Sequence, residues 1–183
     1  MTKPAFSHIG IYVQSLERMA DFYQRLLQLT ITDTGKLDTP NGPVDLVFLS
    51  SDPTEHHQLV LASGRPEAVA FNVINQMSFR VGGLDDLRQL HHAMPGQGAS
   101  DIQPVTHGNA VSIYFRDPEG NRLEVFYDTP WYVDQPMRLP IDLSLPNDVL
   151  EAQIHQHAST LPGFCPRQTW IARMQQRMGH PPA

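Results

Sequence analysis

Two short stretches of the chain alternate apolar with polar positions, and they resemble each other. Ile9, Ile11 and Val13 take one parity of the first; Met77, Phe79 and Val81 take the same parity of the second, 68 residues further on. Alternation at period two predicts a strand with one face in a core and a second, different face. That second face carries His8, Gly10 and Tyr12 in one stretch and Gln76, Ser78 and Arg80 in the other. The period then lengthens. Leu16, Met19, Ala20, Tyr23, Leu26 and Leu27 recur at helical spacing behind Ser15, a suitable N-cap. Leu84, Leu87 and Leu90 repeat this more weakly to about Met94, and Pro95 ends the helix. Each helix leads into three strand-like segments, about 29–36, 43–51 and 56–63 in the first half and about 100–106, 110–116 and 121–128 in the second. Asp117-Pro118-Glu119-Gly120 reads as a type I turn, and Asp52-Pro53 stands at the matching place 65 residues earlier. The plan is a βαβββ module written twice, over about 5–65 and 72–129.

After Asp128 the chain becomes Pro-rich (Pro130, Pro136, Pro140, Pro146) and then shows two short helical patterns. One follows an Asn147 or Asp148 cap; the other spans Pro166 to Met178 with Trp170, Ile171 and Met174. The expected fold class is α+β: residues 1–130 form two modules making a half-open β cup with helices outside, and 131–183 form a C-terminal extension that packs on this body or on a second subunit. Parity places His8, Tyr12, Gln76, Ser78, Ser112, Tyr114, Glu124 and Phe126 on the inner face of the cup. Val111, Ile113, Phe115, Leu123 and Val125 face the helices. A carboxylate among apolar neighbours is costly unless paired, protonated or metal-bound, so Glu124 needs a partner.

Composition narrows the function classes. Thirteen Lys and Arg against nineteen Asp and Glu give a net charge of −6 with no basic cluster, which argues against a nucleic-acid partner. No apolar run approaches the roughly 18 residues of a membrane span and no signal segment follows Met1, so a soluble, unexported chain is expected. Cys165 stands alone, which excludes an internal disulfide and fits a reducing cytoplasm. Of nine His, five (His91, His92, His155, His157 and His180) fall on predicted helical or tail surface.

The repeat, the FSHIGIYV and INQMSFRV strands and the DPEGNRLEVFYD ending resemble the vicinal oxygen chelate superfamily of glyoxalases, resistance proteins and type I extradiol dioxygenases, over roughly residues 5–130. Among these the extradiol dioxygenases fit best. The resemblance implies a metal site of His8, Gln76 and Glu124, with Gln76 standing where the family has its second metal His. An amide oxygen there weakens affinity for iron. It further implies His57, in Glu55-His56-His57-Gln58-Leu59, as the acid–base residue. Tyr114, ten residues before Glu124, and His107, opening the same strand, would lie beside the substrate oxygens. The implied cofactor is a divalent metal, Fe(II) foremost, with Mn, Zn or Ni as alternatives.

Plainer readings stand beside these. His57 can be an exposed turn residue, His107 a loop cap before Gly108-Asn109, and Tyr114 a rim aromatic. Glu124 can pair with Arg80 or Arg122, and the Asp-Pro-Glu-Gly turn reads as a fold device. Trp131, Tyr132 and Trp170 can close the cup or line a dimer contact. The expected function is a metal-dependent extradiol-type dioxygenase acting on a catechol-like aromatic diol with dioxygen, as a homodimer without nucleic-acid or membrane partners. The alternatives are a glyoxalase-like isomerase or lyase and a non-catalytic small-molecule-binding protein. The lyase chemistry uses a further Glu on the fourth strand, where the 65-residue offset from Glu124 lands on Leu59.

Overall fold

The computed structural model describes residues 4–40, 42–69 and 71–179; His180 lies outside them. The elements run β1 (Ile9–Val13), α1 (Leu16–Leu27), β2 (Thr30–Thr39), β3 (Gly42–Ser50) and β4 (Leu59–Ser63), then β5 (Met77–Arg80), α2 (Leu84–Ala93), β6 (Ser100–Thr106), β7 (Ala110–Arg116) and β8 (Arg122–Asp128). The extension adds β9 (Trp131–Tyr132), β10 (Leu139–Pro140), α3 (Asn147–Ala158), β11 (Cys165–Pro166) and α4 (Arg167–Met178). The protein is α+β with open, mixed sheets. The first sheet has strand order β1-β4-β3-β2 and the second β10-β6-β7-β8-β5, so both modules pair their first strand with their last. Both of those pairings are parallel.

The chain divides into two compact units. The first comprises residues 1–75, 93–100 and 116–121; the second comprises 76–92, 101–115 and 122–183. The extension therefore clusters with the second module.

In the first unit α1 follows its sequence signals. Ser15 accepts a hydrogen bond from the Arg18 amide, and Gln28 closes the helix in the left-handed region at φ 55°. Met19, Phe22, Tyr23 and Leu26 are buried with Ile11, Val13, Leu49, Leu59 and Leu61. The Asp-Pro-Glu-Gly segment is a fold device, as expected: Gly120 N–H donates to the Asp117 carbonyl. The buried Asp117 carboxylate accepts from the Glu119 and Asn121 amides, the Asn121 side chain and the Tyr23 hydroxyl. Burial pushes the Asp117 carboxyl up from its ordinary range, against these stabilising bonds. Glu119 takes the Gln14 and Ser15 amides ahead of α1, where a carboxylate also suits the helix dipole.

In the second unit Met77, Val111, Ile113, Phe115, Leu123 and Val125 are buried, as parity predicts, together with Leu87 of α2, while Phe79 and Val81, expected on the same core face, are half-buried. α2 ends at Ala93, and the 3-10 turn Met94–Gln97, with Pro95 in its first positions, clusters with the first unit. Neither Asn147 nor Asp148 caps α3, which starts at Asn147 with Pro146 ahead of it. The Asn147 side chain is engaged elsewhere, accepting from Arg88 and donating to Asp85. Arg88 also donates to the Leu143 and Leu145 carbonyls, so α2 holds the extension. Trp131 and Tyr132 pack within this unit: the indole N–H donates to the Gly108 carbonyl and Tyr132 stacks on Trp170 at 5.2 Å. His155, expected on open surface, meets the Trp131 and Phe164 rings.

Candidate functional site

Four expected site residues, His8, His57, Gln76 and His107, lie outside the strands assigned to them. β4 begins at Leu59, so His56 and His57 belong to the turn before it; β7 begins at Ala110, so His107 lies in the β6–β7 turn. His8 and Gln76 each immediately precede a strand, one before β1 and the other before β5. The last two still correspond to each other, because the strands that follow them start at the same repeat position.

The first unit gathers His8, His56 and His57. The His8 and His57 rings are 4.2 Å apart between centroids. His57 shares an Nδ1 to Nδ1 hydrogen bond of 2.8 Å with His56, and Phe48 presents its ring to both. Desolvation, and then the neighbouring His8 and His56, hold the His57 imidazole below its ordinary pKa. His8 itself is exposed, with Nδ1 3.2 Å from the Ser7 hydroxyl.

The second unit gathers the rest around Glu124, which is 7% exposed. Parallel pairing of β5 with β8 sets Ser78 beside Glu124. The Ser78 hydroxyl donates to Oε2 at 2.6 Å, and Gln76 Nε2 donates to the same oxygen at 2.9 Å. Glu124 Oε1 lies 3.7 Å from His107 Nε2. Gln76 and Ser78 donate to Glu124, the Tyr114 phenol also interacts with it, and His107 is an ion-pair partner only when its ring is protonated. Arg80 is not one of its partners, since it pairs with Asp128 at 3.0 Å, and Arg122 lies over the Tyr114 ring.

Bonds at both ends of the β7–β8 hairpin set its register: Asp117 N–H to the Asn121 carbonyl, and Thr129 N–H to the Asn109 carbonyl. Without a bulge between them, Tyr114 stands opposite Glu124 and Ser112 opposite Phe126. Tyr114 OH is 3.1 Å from His107 Nε2. His107 Nδ1 lies 2.7 Å from the Met137 carbonyl, which can only accept, so Nδ1 carries a proton. In the neutral ring Nε2 is then the acceptor and Tyr114 the donor. Burial, followed by the charge of Glu124 and a hydrogen bond to it, pushes the Tyr114 phenol above its ordinary pKa, while Gln76 and then Arg122 oppose the shift. Ser112 Oγ is buried without a hydrogen-bond partner.

Sequence reasoning missed that the extension builds part of this cluster. Met137 fixes the His107 tautomer, and Gln135 Nε2 donates to the His107 carbonyl at 2.8 Å. Gly108, at φ 74°, has no room for a side chain, since an added Cβ would lie 2.5 Å from Val133. Only its place beside His107 in the sequence hinted at this. Pairing also corrects the repeat arithmetic: Ser78 partners Glu124 as Gly10 partners Val60, so the counterpart of Glu124 is Val60 rather than Leu59. That residue, too, has no carboxylate.

Among the described residues no three His, Cys, Asp or Glu side chains gather closely enough to hold a metal ion. Gln76 lies outside that set of residue types. Its Nε2 is committed to Glu124 and Ser78, and among the described residues no hydrogen bond ends on its carbonyl oxygen. Glu124 and Gln76 are neighbours that carry a carboxylate and an amide oxygen, donor types that fit a hard divalent cation.

The duplicated module, with a buried carboxylate on its last strand, defines a class of small α+β proteins. Residues 5–125 match the model of the Glyoxalase/Bleomycin resistance protein/Dioxygenase superfamily, and the chain belongs to that family. It is 26% identical over 130 residues to biphenyl-2,3-diol 1,2-dioxygenase 2 of Rhodococcus globerulus, a match covering 68% of this chain and 63% of that protein. It thus spans under two thirds of that relative's length. It is also 26% identical over 121 residues to lactoylglutathione lyase of Neisseria meningitidis, covering 64% of this chain and 86% of the relative. A glyoxylase/bleomycin resistance protein/dioxygenase domain from Frankia sp. EAN1pec shares the fold, with TM-score 0.59 and 20% identity over 70% of this chain and all of that one. Among the described residues no helix is long and apolar enough to cross a membrane.

Proposed function

We propose that this protein is a metal-dependent enzyme of the extradiol type, cleaving a small catechol-like diol with dioxygen in a reducing cytoplasm, as a homodimer. The observation that carries the reading is the His107–Tyr114 pair held against the buried Glu124 carboxylate. The ligands in this reading are Glu124 and Gln76, with His8 added by the family pattern alone. Fe(II) is the ion the extradiol resemblance implies, while the amide oxygen favours harder ions such as Mn(II) more than a second imidazole would. An ion held there would supply a positive charge that eases deprotonation of the diol.

The remaining chemistry belongs to side chains. When its ring is neutral, His107 accepts at Nε2, so a proton leaving a diol hydroxyl can pass through Tyr114 OH to that nitrogen. The Met137 carbonyl and Glu124 stabilise the imidazolium that results. Tyr114 then donates a hydrogen bond to the oxygen left behind. His57, whose imidazole is held below its ordinary pKa, is the acid–base candidate of the first unit. Val60 at the position matching Glu124 weighs against the lyase alternative, which requires a carboxylate there.

The test is anaerobic loading with Fe(II), addition of a catechol panel and exposure to air. A yellow ring-fission product is expected from at least one catechol. Its absence across the panel in metal-loaded protein would favour a non-catalytic binding role.

A further inference from the structure

Tyr114 carries two cations on its ring for which the proposed reaction has no use. The Arg122 guanidinium carbon lies 4.3 Å from the ring centroid and that of Arg138 lies 5.4 Å from it. Arg122 is half-buried on β8, two residues before Glu124; Arg138 is exposed and follows Met137 in the extension. Arg138 donates to the Gln103 amide oxygen at 2.7 Å, a neutral acceptor. Among the described residues neither arginine forms an ion pair with a carboxylate. Elsewhere in the same unit Arg80 and Arg167 both pair with Asp128. The chain has acidic residues in excess, yet these two guanidinium groups both lie within cation–π range of one aromatic ring beside the candidate site. An anion placed there would take directed, charge-assisted hydrogen bonds from planar donors.

We infer that the substrate carries an anionic substituent, a carboxylate on or near the ring, bound by Arg122 and Arg138. This rests on the reading of the site as a diol site and adds its specificity. The extension is then a recognition element: it delivers Arg138 to the same place where Met137 fixes His107.

The test compares binding of catechol, 3,4-dihydroxybenzoate and benzoate to the purified full chain under argon, by calorimetry. Wild type is expected to bind 3,4-dihydroxybenzoate at least about tenfold more tightly than catechol, the scale of one charge-assisted contact. Arg122→Gln and Arg138→Gln should each erode that ratio, Arg→Lys variants should keep part of it, and added salt should diminish it. Equal affinities in wild type, or a preference that survives both Gln substitutions, would overturn the inference. Catechol binding without carboxylate preference overturns it and leaves the diol reading standing. Benzoate binding as tight as 3,4-dihydroxybenzoate, and lost in the Arg→Gln variants, supports the anion site and overturns the diol reading. Absence of binding by all three overturns both.

Discussion

Removing Gln76 tests how the Glu124 carboxylate is held. Oε2 accepts from Ser78 at 2.6 Å and from Gln76 at 2.9 Å, and the residue is 7% exposed, so water can replace a lost donor only in part. A hydrogen bond to a charged group contributes about 1.5–3 kcal/mol. Gln76 is half-buried and its departure admits solvent, so Gln76→Ala should cost about 1.5 kcal/mol, the lower end of that range. Ser78→Ala removes the shorter bond and should cost about 2 kcal/mol. The double variant strips both donors from one oxygen, and its loss should exceed the sum of the singles by at least about 0.5 kcal/mol. Urea unfolding at pH 7 with a chelator present, followed by tryptophan fluorescence, measures each. In a Glu124→Gln background Gln76→Ala should cost far less, because no charge remains to be held. Single variants within about 0.5 kcal/mol of wild type, with additive doubles, would refute the arrangement.

Two further outcomes follow from the geometry. Gly108→Ala should lose about 2 kcal/mol or more, combining a left-handed backbone with collision against Val133, and should displace His107; wild-type stability would show that the turn yields freely. Tyr127 is buried and near Glu151, which pushes its phenol up to about 12. The folded state therefore resists its ionisation, and the associated stability is complete below pH 10 and lost as pH rises through 12. The loss is about 3 kcal/mol greater in wild type than in Tyr127→Phe, as pH-dependent unfolding curves would show.

The duplicated architecture was legible because period-two and period-3.6 patterns are local. Ile9, Ile11 and Val13 and their counterparts declare their faces without reference to any other segment. Glu124 was legible for the same reason: a carboxylate at an inward position of an apolar strand demands an explanation. Its actual partners were less so. Gln76 and Ser78 reach it through a parallel pairing between strands 48 and 46 residues apart, whose register parity does not fix. The repeat offset failed at Val60 for a related reason, since one residue of slip between modules reassigns every match. Least visible was the extension. Met137 acts through its backbone carbonyl, which any residue supplies, so no side-chain pattern could mark it.

Metal content tests the central claim most directly. Wild type should retain a divalent ion after purification or reconstitution and gel filtration; His8→Ala and Glu124→Gln should lose it. Gln76→His should bind Fe(II) about tenfold or more tightly than wild type, by restoring an imidazole donor. Equal metal in wild type, His8→Ala and Glu124→Gln, with unchanged iron affinity in Gln76→His, would contradict the account.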